Sequence, residues 1–335
     1  MPSRHPLNAG PWRGLAMARN GADAGLADEV RRLKEETDTV ILAHNYQVPE
    51  VQDVADYVGD SLGLARRAAA TPHGTILFCG VHFMAETAAI ISPQKRVLIP
   101  DLDAGCSLSD SITADELRDW KARHPGAVSV GYVNTTAAIK AELDYCCTSS
   151  NAVAVVNAIP ASREVLFLPD MFLGAYVAKA TGRKNMRIWA GECHVHAGIR
   201  PEDVTRRLES MRDAEFLVHP ECSCTTPILH DVATGGYGDI RASVLSTEGM
   251  MKRAAESESD SFVVATETGM LYRLAKQNPG KRFVAASDTA ECQYMKMITL
   301  EKVRDSLARS RHEVRVPPRT AARARLAIER MLEIG

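Results

Sequence analysis

The stretch "LADEVRRLKEETDTVILAHNY", Leu26 to Tyr46, reads as a helix followed by a strand, and the strand ends in the polar cluster His44-Asn45-Tyr46. The same order returns twice. "TADELRDWKARHPGAVSVGYVN", Thr113 to Asn134, ends in Tyr132-Val133-Asn134, and "RPEDVTRRLESMRDAEFLVHPE", Arg200 to Glu221, ends in His219-Pro220-Glu221. Self-similarity of this kind marks one supersecondary unit used repeatedly. After each polar cluster come a helix, a short strand and a hydroxyl opening another helix: "GDSLGLAR", "CTSSNAVAV", "LSTEGMMKR". His44 to Ser61 and Tyr132 to Ser149 both span 17 residues. His219 to Thr247 spans 28, because the third copy carries the insert "CTTPILHDVATGGYGD", whose Gly-Gly-Tyr-Gly reads as loop.

The second half of each copy repeats as well. "GVHFMAETAAI", "PDMFLGAYVAK" and "TETGMLYRLAK" each follow a strand and open a helix, and a last strand runs out at a cysteine: "PDLDAGCSL", "IWAGECHVH", "SDTAECQYM". Val81 to Cys106, Asp170 to Cys193 and Glu267 to Cys292 span 25, 23 and 25 residues. A fourth helix–strand pattern, "TLEKVRDSLARSRHEVRVPP", follows. Short β-branched runs alternating with helices predict an α/β fold whose parallel sheets are covered on both faces. Ligands gather at the C-terminal strand edges of such sheets. Three like units about a pseudo-threefold axis would bring one cysteine each to a common centre.

The 335 residues suffice for several small domains with a substantial core. A formal charge of −2 gives no nucleic-acid footprint. No apolar run approaches the roughly 18 residues of a membrane span. The Gly-, Pro- and Arg-rich start lacks the apolar core of a secretory signal and reads as a mobile extension. Eight cysteines are too few for a disulfide scaffold, so a reducing, cytoplasmic setting with free thiols is expected.

"AGECHVH", Ala190 to His196, is dense in soft ligands, but three on one strand end cannot easily wrap one ion. Cys193 gains meaning as one of three matched cysteines. Three thiolates from three units suit a [4Fe–4S] cluster with one open iron, able to act as a Lewis acid. A structural zinc favours four ligands at short spacing, and no CxxC is present; a catalytic zinc on three cysteines remains an alternative. A lone cysteine is ordinarily a small buried hydrophobe. Cys79, Cys146 and Cys147 lack counterparts in the other copies and are assigned to packing, while Cys222 and Cys224 read as free thiols near the site. The hydroxyls Ser61, Ser149 and Ser246-Thr247 stand at helix starts, which attract anions. With His44, Tyr46, Tyr132, Asn134, His219 and Glu221 they would line a pocket for carboxylates or phosphate, and His, Tyr and Glu can move protons. Glu221 beside His219 is expected to keep that imidazole charged.

"AHNYQVPEVQDVADYVGDSL", "PDLDAGCSLSDS", "GYVNTTAAIKAELDYCCTSSNAV", "LPDMFLGAYVA", "GECHVHAGI", "HPEC", "STEGM" and "MKMITL" together resemble the quinolinate synthase family, from about Val40 to Leu300. The resemblance implies three homologous αβα sandwich domains around a pseudo-threefold axis. Expected boundaries are an N-terminal extension at 1–22, repeats at 23–112, 113–199 and 200–298, and a C-terminal helix–strand–helix at 299–335. It implies a [4Fe–4S] cluster on Cys106, Cys193 and Cys292. It also implies condensation of iminoaspartate with dihydroxyacetone phosphate to quinolinate, a step of de novo NAD synthesis. Carried over by motif, Tyr46, His219 and Glu221 are the catalytic candidates. His44, Ser61, Tyr132, Asn134, Ser149, His196 and Thr247 are the substrate-binding candidates. A transient encounter with the enzyme that produces iminoaspartate is a further implication. "ECQYM" lacks the CxxC of some members, so no disulfide switch is expected there. Two alternatives stay open: a radical enzyme of the diphthamide-synthesis type, and a non-catalytic iron–sulfur sensor.

Overall fold

A computed structural model describes residues 22–225, 227 and 240–334. Residues 1–21 of the expected extension and most of the insert after Cys224 lie outside the described residues. Among the described residues, twelve strands form three sheets. The first sheet holds β1 (Thr39–His44), β2 (Tyr57–Gly59), β3 (Thr75–Cys79) and β4 (Arg96–Leu98) in the order β2-β1-β3-β4. The second holds β5 (Val128–Tyr132), β6 (Tyr145–Cys147), β7 (Val165–Leu168) and β8 (Met186–Ile188) in the order β6-β5-β7-β8. The third holds β9 (Glu215–Val218), β10 (Ala242–Val244), β11 (Ser261–Ala265) and β12 (Arg282–Ala285) in the order β10-β9-β11-β12. All neighbours in the three sheets are parallel. The chain is thus an α/β protein of three like units about a pseudo-threefold axis.

The repeat in the amino-acid pattern is a repeat in burial. The leading strands β1, β5 and β9 are buried along their whole length, as a central strand covered on both faces must be. Phe78, Phe167, Phe216 and Phe262 are fully buried on these sheets. Each contributes about 1.5–3 kcal/mol by leaving water. Side-chain caps start the helices at Asp60, Thr113, Thr136, Asp170, Ser246 and Thr299. The Thr113–Glu116 pair makes a reciprocal capping box.

Two departures from the pattern matter. Ser61 and Thr247 are the first residues of their helices rather than the caps, which are Asp60 and Ser246. Ser149 sits before the cap residue Asn151, in the turn leading to the helix Ala152–Asn157. The fourth helix–strand pattern founds no fourth sheet among the described residues. The helix Leu300–Arg309 packs on Ala22–Glu36, and Glu313 makes one antiparallel bridge to Leu98 at the edge of the first sheet. The last helix, Pro318–Glu333, then crosses to β6 and to the helices Ala137–Lys140 and His82–Ile91, tying the first two units together. No described helix is long and apolar enough to cross a membrane.

Candidate active site

The C-terminal strand edges of all three sheets face one cavity of about 60 Å³. Its lining includes all thirteen residues singled out from the sequence: His44, Tyr46, Ser61, Tyr132, Asn134, Ser149, His196, His219, Glu221, Thr247, Cys106, Cys193 and Cys292. Volume of this order holds a few water-sized groups, or part of a small polar ligand.

Three of the eight cysteines are half-buried, and they are Cys106, Cys193 and Cys292; the other five are fully buried. Each of the three precedes a short helical turn. Cys193 and Cys292 are the residues before His194–Ala197 and Gln293–Lys296, and Cys106 leads into Ser109–Ser111. The backbone N–H groups of Leu108 and Ser109 face the Cys106 sulfur, and those of Tyr294 and Met295 face Cys292. Such N–H groups at a helix start favour a thiolate. Burial works the other way, lifting Cys106 well above the usual thiol range and Cys292 to about 11, with the neighbouring sulfur of Cys193 adding to both. Bound to a metal, a thiol is deprotonated outright. The three sulfurs feel one another but are not among the donor trios gathered within 4.8 Å. One ion would need the tighter grouping. A cluster that takes one thiolate on each of three irons does not, so the donor set fits an iron–sulfur group.

Deeper in the cavity the polar groups form one chain. Tyr46 Oη lies 2.6 Å from Thr266 Oγ1 and 3.3 Å from His196 Nε2, and His196 Nδ1 lies 3.1 Å from Glu221 Oε2 and 3.3 Å from Cys193 Sγ. Burial alone would lower the His196 pKa, but the Cys193 sulfur and the Glu221 carboxylate outweigh it, raising the pKa well above its ordinary value. For Glu221 burial is likewise outweighed, by His196 first and His219 second, and its carboxyl stays ionised. His219 behaves differently. Its ring stacks on His196 at 5.0 Å between centroids, its Nε2 meets Ser149 Oγ at 3.2 Å, and its Nδ1 has no hydrogen-bond partner. Burial, with the charge on His196, pushes it down to about 4 against the pull of Glu221, which stands farther off at 3.8 Å. The expectation of a charged His219 is therefore corrected. Glu221 charges His196, and a second positive ring stacked beside it is unfavourable. Burial also pushes His44 down to about 3 and lifts the Tyr46 and Tyr132 hydroxyls well above their usual range.

Several residues that the sequence reading did not assign to the site hold it in shape. Glu267, 1 % exposed, accepts the backbone N–H of Cys292 (3.1 Å) and of Gly269 (2.7 Å) and pairs with Lys296 at 2.8 Å. Lys296 Nζ in turn donates to the carbonyl of Tyr46 at 2.6 Å. Gly269 permits this approach, since a Cβ there would stand 2.7 Å from the Tyr46 oxygen. Asn45 donates to Thr247 Oγ1 at 2.7 Å and accepts from Arg273, leaving the Thr247 hydroxyl proton free for a ligand. Lys140, fully buried, donates to the carbonyls of Val133 (2.8 Å) and Thr135, gripping the loop that carries Asn134 just past Tyr132 at the end of β5. Glu267 marked the repeat by its spacing to Cys292. Nothing in that spacing says that its carboxylate folds back onto the cysteine's backbone.

The family model described as "Quinolinate synthetase A protein" matches residues 28–333. The chain belongs to this family. The quinolinate synthase of Mycobacterium sp. (strain KMS) is 58% identical over 309 residues, covering 92% of each chain. The quinolinate synthase of Mycolicibacterium paratuberculosis (strain ATCC BAA-968 / K-10) is 56% identical over 313 residues, 93% of this chain and 90% of that one. The quinolinate synthase of Mycobacterium tuberculosis (strain ATCC 25618 / H37Rv) is 55% identical over 313 residues, with the same coverage. The chain is accordingly an enzyme of the quinolinate synthase type, and the cavity is its candidate active site.

Proposed function

We propose that this chain condenses iminoaspartate with dihydroxyacetone phosphate to give quinolinate, phosphate and water, in de novo NAD synthesis. Cys106, Cys193 and Cys292 would hold a [4Fe–4S] cluster, and an open iron would supply Lewis-acid polarisation of a substrate oxygen. The observation that carries the reading is the meeting of three half-buried cysteines, one from each unit, with a buried acid–base chain in the same cavity.

The residues divide the work by their protonation. Ser61 and Thr247 at helix starts, with Asn134 and Ser149, suit the carboxylates and the phosphate. Tyr46 keeps its proton and touches the charged ring of His196, so it can hand a proton to a leaving hydroxyl and be resupplied from His196 Nε2. Glu221 holds the positive charge of His196 in place. Neutral His219, with Nδ1 unpartnered, is the candidate base.

Anaerobic reconstitution with iron and sulfide tests the reading. Cys106→Ala, Cys193→Ala and Cys292→Ala should each lose the cluster and quinolinate formation, while Cys79→Ala should keep both. Retention of a full complement of iron and sulfide by any of the three would refute it. Release of methionine from S-adenosylmethionine, without quinolinate, would instead favour the radical enzyme.

A further inference from the structure

Cys193, His196 and Glu221 bring one donor atom each to within 4.8 Å of one another, and no other Cys, His, Asp or Glu trio among the described residues is gathered so closely. The chain builds this trio from two elements. Cys193 and His196 are three apart across the start of one helical turn and so share a face, while Glu221 comes from the turn after β9. His196 and Glu221 are each 2 % exposed, whereas Cys193 is half-buried and open to the cavity. A second observation points to a missing partner. Glu221 Oε1, with the Tyr132 hydroxyl as a neighbour of its carboxylate, completes no hydrogen bond of good geometry, and a buried acceptor left unsatisfied is costly.

We propose that, in enzyme lacking its cluster, Cys193 Sγ, His196 Nδ1 and Glu221 bind one divalent cation of the zinc class. A thiolate, an imidazole and a carboxylate form a three-ligand zinc set with a fourth position for water, and the sulfur disfavours magnesium and calcium. The ion takes Cys193 as the thiolate, the Nδ1 proton of His196 and any proton still on the sulfur leave to solvent, and no group changes oxidation state. His196 Nε2 keeps its proton and its contact with Thr266 Oγ1 at 3.1 Å, which orients the ring from behind. Cys106 and Cys292 take no part. The proposal rests on the cluster reading only in that Cys193 is shared, so ion and cluster exclude each other.

The test uses the full chain, stripped of metal under reducing, anaerobic conditions and titrated with Co²⁺, then with Zn²⁺. Wild type should bind one equivalent of Co²⁺ with a thiolate-to-cobalt charge-transfer band, which Zn²⁺ abolishes. Cys106→Ala and Cys292→Ala should bind as wild type does. Cys193→Ala should lose the band. His196→Ala and Glu221→Gln should weaken binding beyond the roughly ten- to hundredfold typical of outer-shell changes. Circular dichroism separates lost binding from lost folding, and His196→Gln serves where His196→Ala does not fold. Zinc-loaded wild type should also take up less iron and sulfide than metal-free wild type. Loss of the band in Cys106→Ala or Cys292→Ala, its survival in Cys193→Ala, or no binding by folded wild type would overturn the proposal. Iron and sulfide counts on metal-free wild type keep the two readings apart. A cluster that forms in a protein unable to bind Co²⁺ removes only this proposal, and Co²⁺ binding without cluster formation removes only the earlier one.

Discussion

The rim and the floor of the cavity are built on different principles. The rim carries Cys106, Cys193 and Cys292, half-buried, each entering a short helical turn at a matched place in the repeat. The floor carries Tyr46, His196, His219 and Glu221, nearly all buried and each shaped by a neighbour from another unit. The rim is threefold in design. The floor is not: one histidine is charged, its stacked partner is neutral, and the third, His44, is neutral too. Repetition therefore suffices to bring matched side chains to one place. Asymmetric proton chemistry needs cross-unit contacts that the repeat does not contain.

The sharpest way to break this comparison is to strike each region separately. Tyr46→Phe should retain the iron and sulfide of wild type, yet lower kcat by about 10²–10⁴-fold, the usual worth of a positioned proton donor. Simultaneous loss of the cluster would show that rim and floor are one structure. Glu267→Gln strikes the link between them, because it weakens the pair with Lys296 and the hold on Cys292 N–H while keeping the side chain's shape. An intermediate result is expected: slower cluster retention under chelator and a fall in kcat of roughly ten- to hundredfold, in line with outer-shell changes at metal sites. Unchanged chelator sensitivity would confine Glu267 to the floor.

The smallest effect concerns pH. His44 is held neutral by burial, with its pKa down at about 3. An unfolded histidine protonates near its ordinary value of about 6.5. As pH falls below that value, the unfolded chain takes up a proton that the folded chain refuses, so stability drops. The loss from this one group is roughly 2 kcal/mol between about pH 7 and pH 5, at about 1.4 kcal/mol per unit. His44→Gln should be less sensitive to acid by up to that amount when denaturant midpoints are compared at the two pH values. Equal pH slopes in variant and wild type would mean that His44 titrates normally in the folded protein.

Much of the site was legible because it sits at repeat-equivalent places. Tyr132 and Asn134, His219 and Glu221, and the three cysteines all stand where a strand or its extension runs out, and sheet geometry alone sends such residues to one edge. The hydroxyls proposed to face anions lie at helix starts to within a residue or two of the capping pattern. Ser61 and Thr247 follow the caps Asp60 and Ser246, and Ser149 precedes its own, because a capping pattern marks a helix start more loosely than one position. Thr266 and Lys296 were not assigned, since they reach Tyr46 only when unit three meets unit one, and the spacing of Glu267 to Cys292 does not show that its carboxylate turns onto the cysteine N–H.

The amino-acid order on its own determined three α/β units, their parallel sheets, and which cysteines stand at matched places. It did so because burial periodicity and repeat spacing are local properties of a chain. Only the tertiary structure decided that Glu221 charges His196 rather than His219. It also decided that Glu267 braces Cys292 and that a tight Cys193–His196–Glu221 trio lies beside the wider trio of cysteines. Charge state and ligand geometry depend on distances of a few ångströms between residues that are not neighbours in the chain, and those distances exist only once each unit has folded and the three have packed.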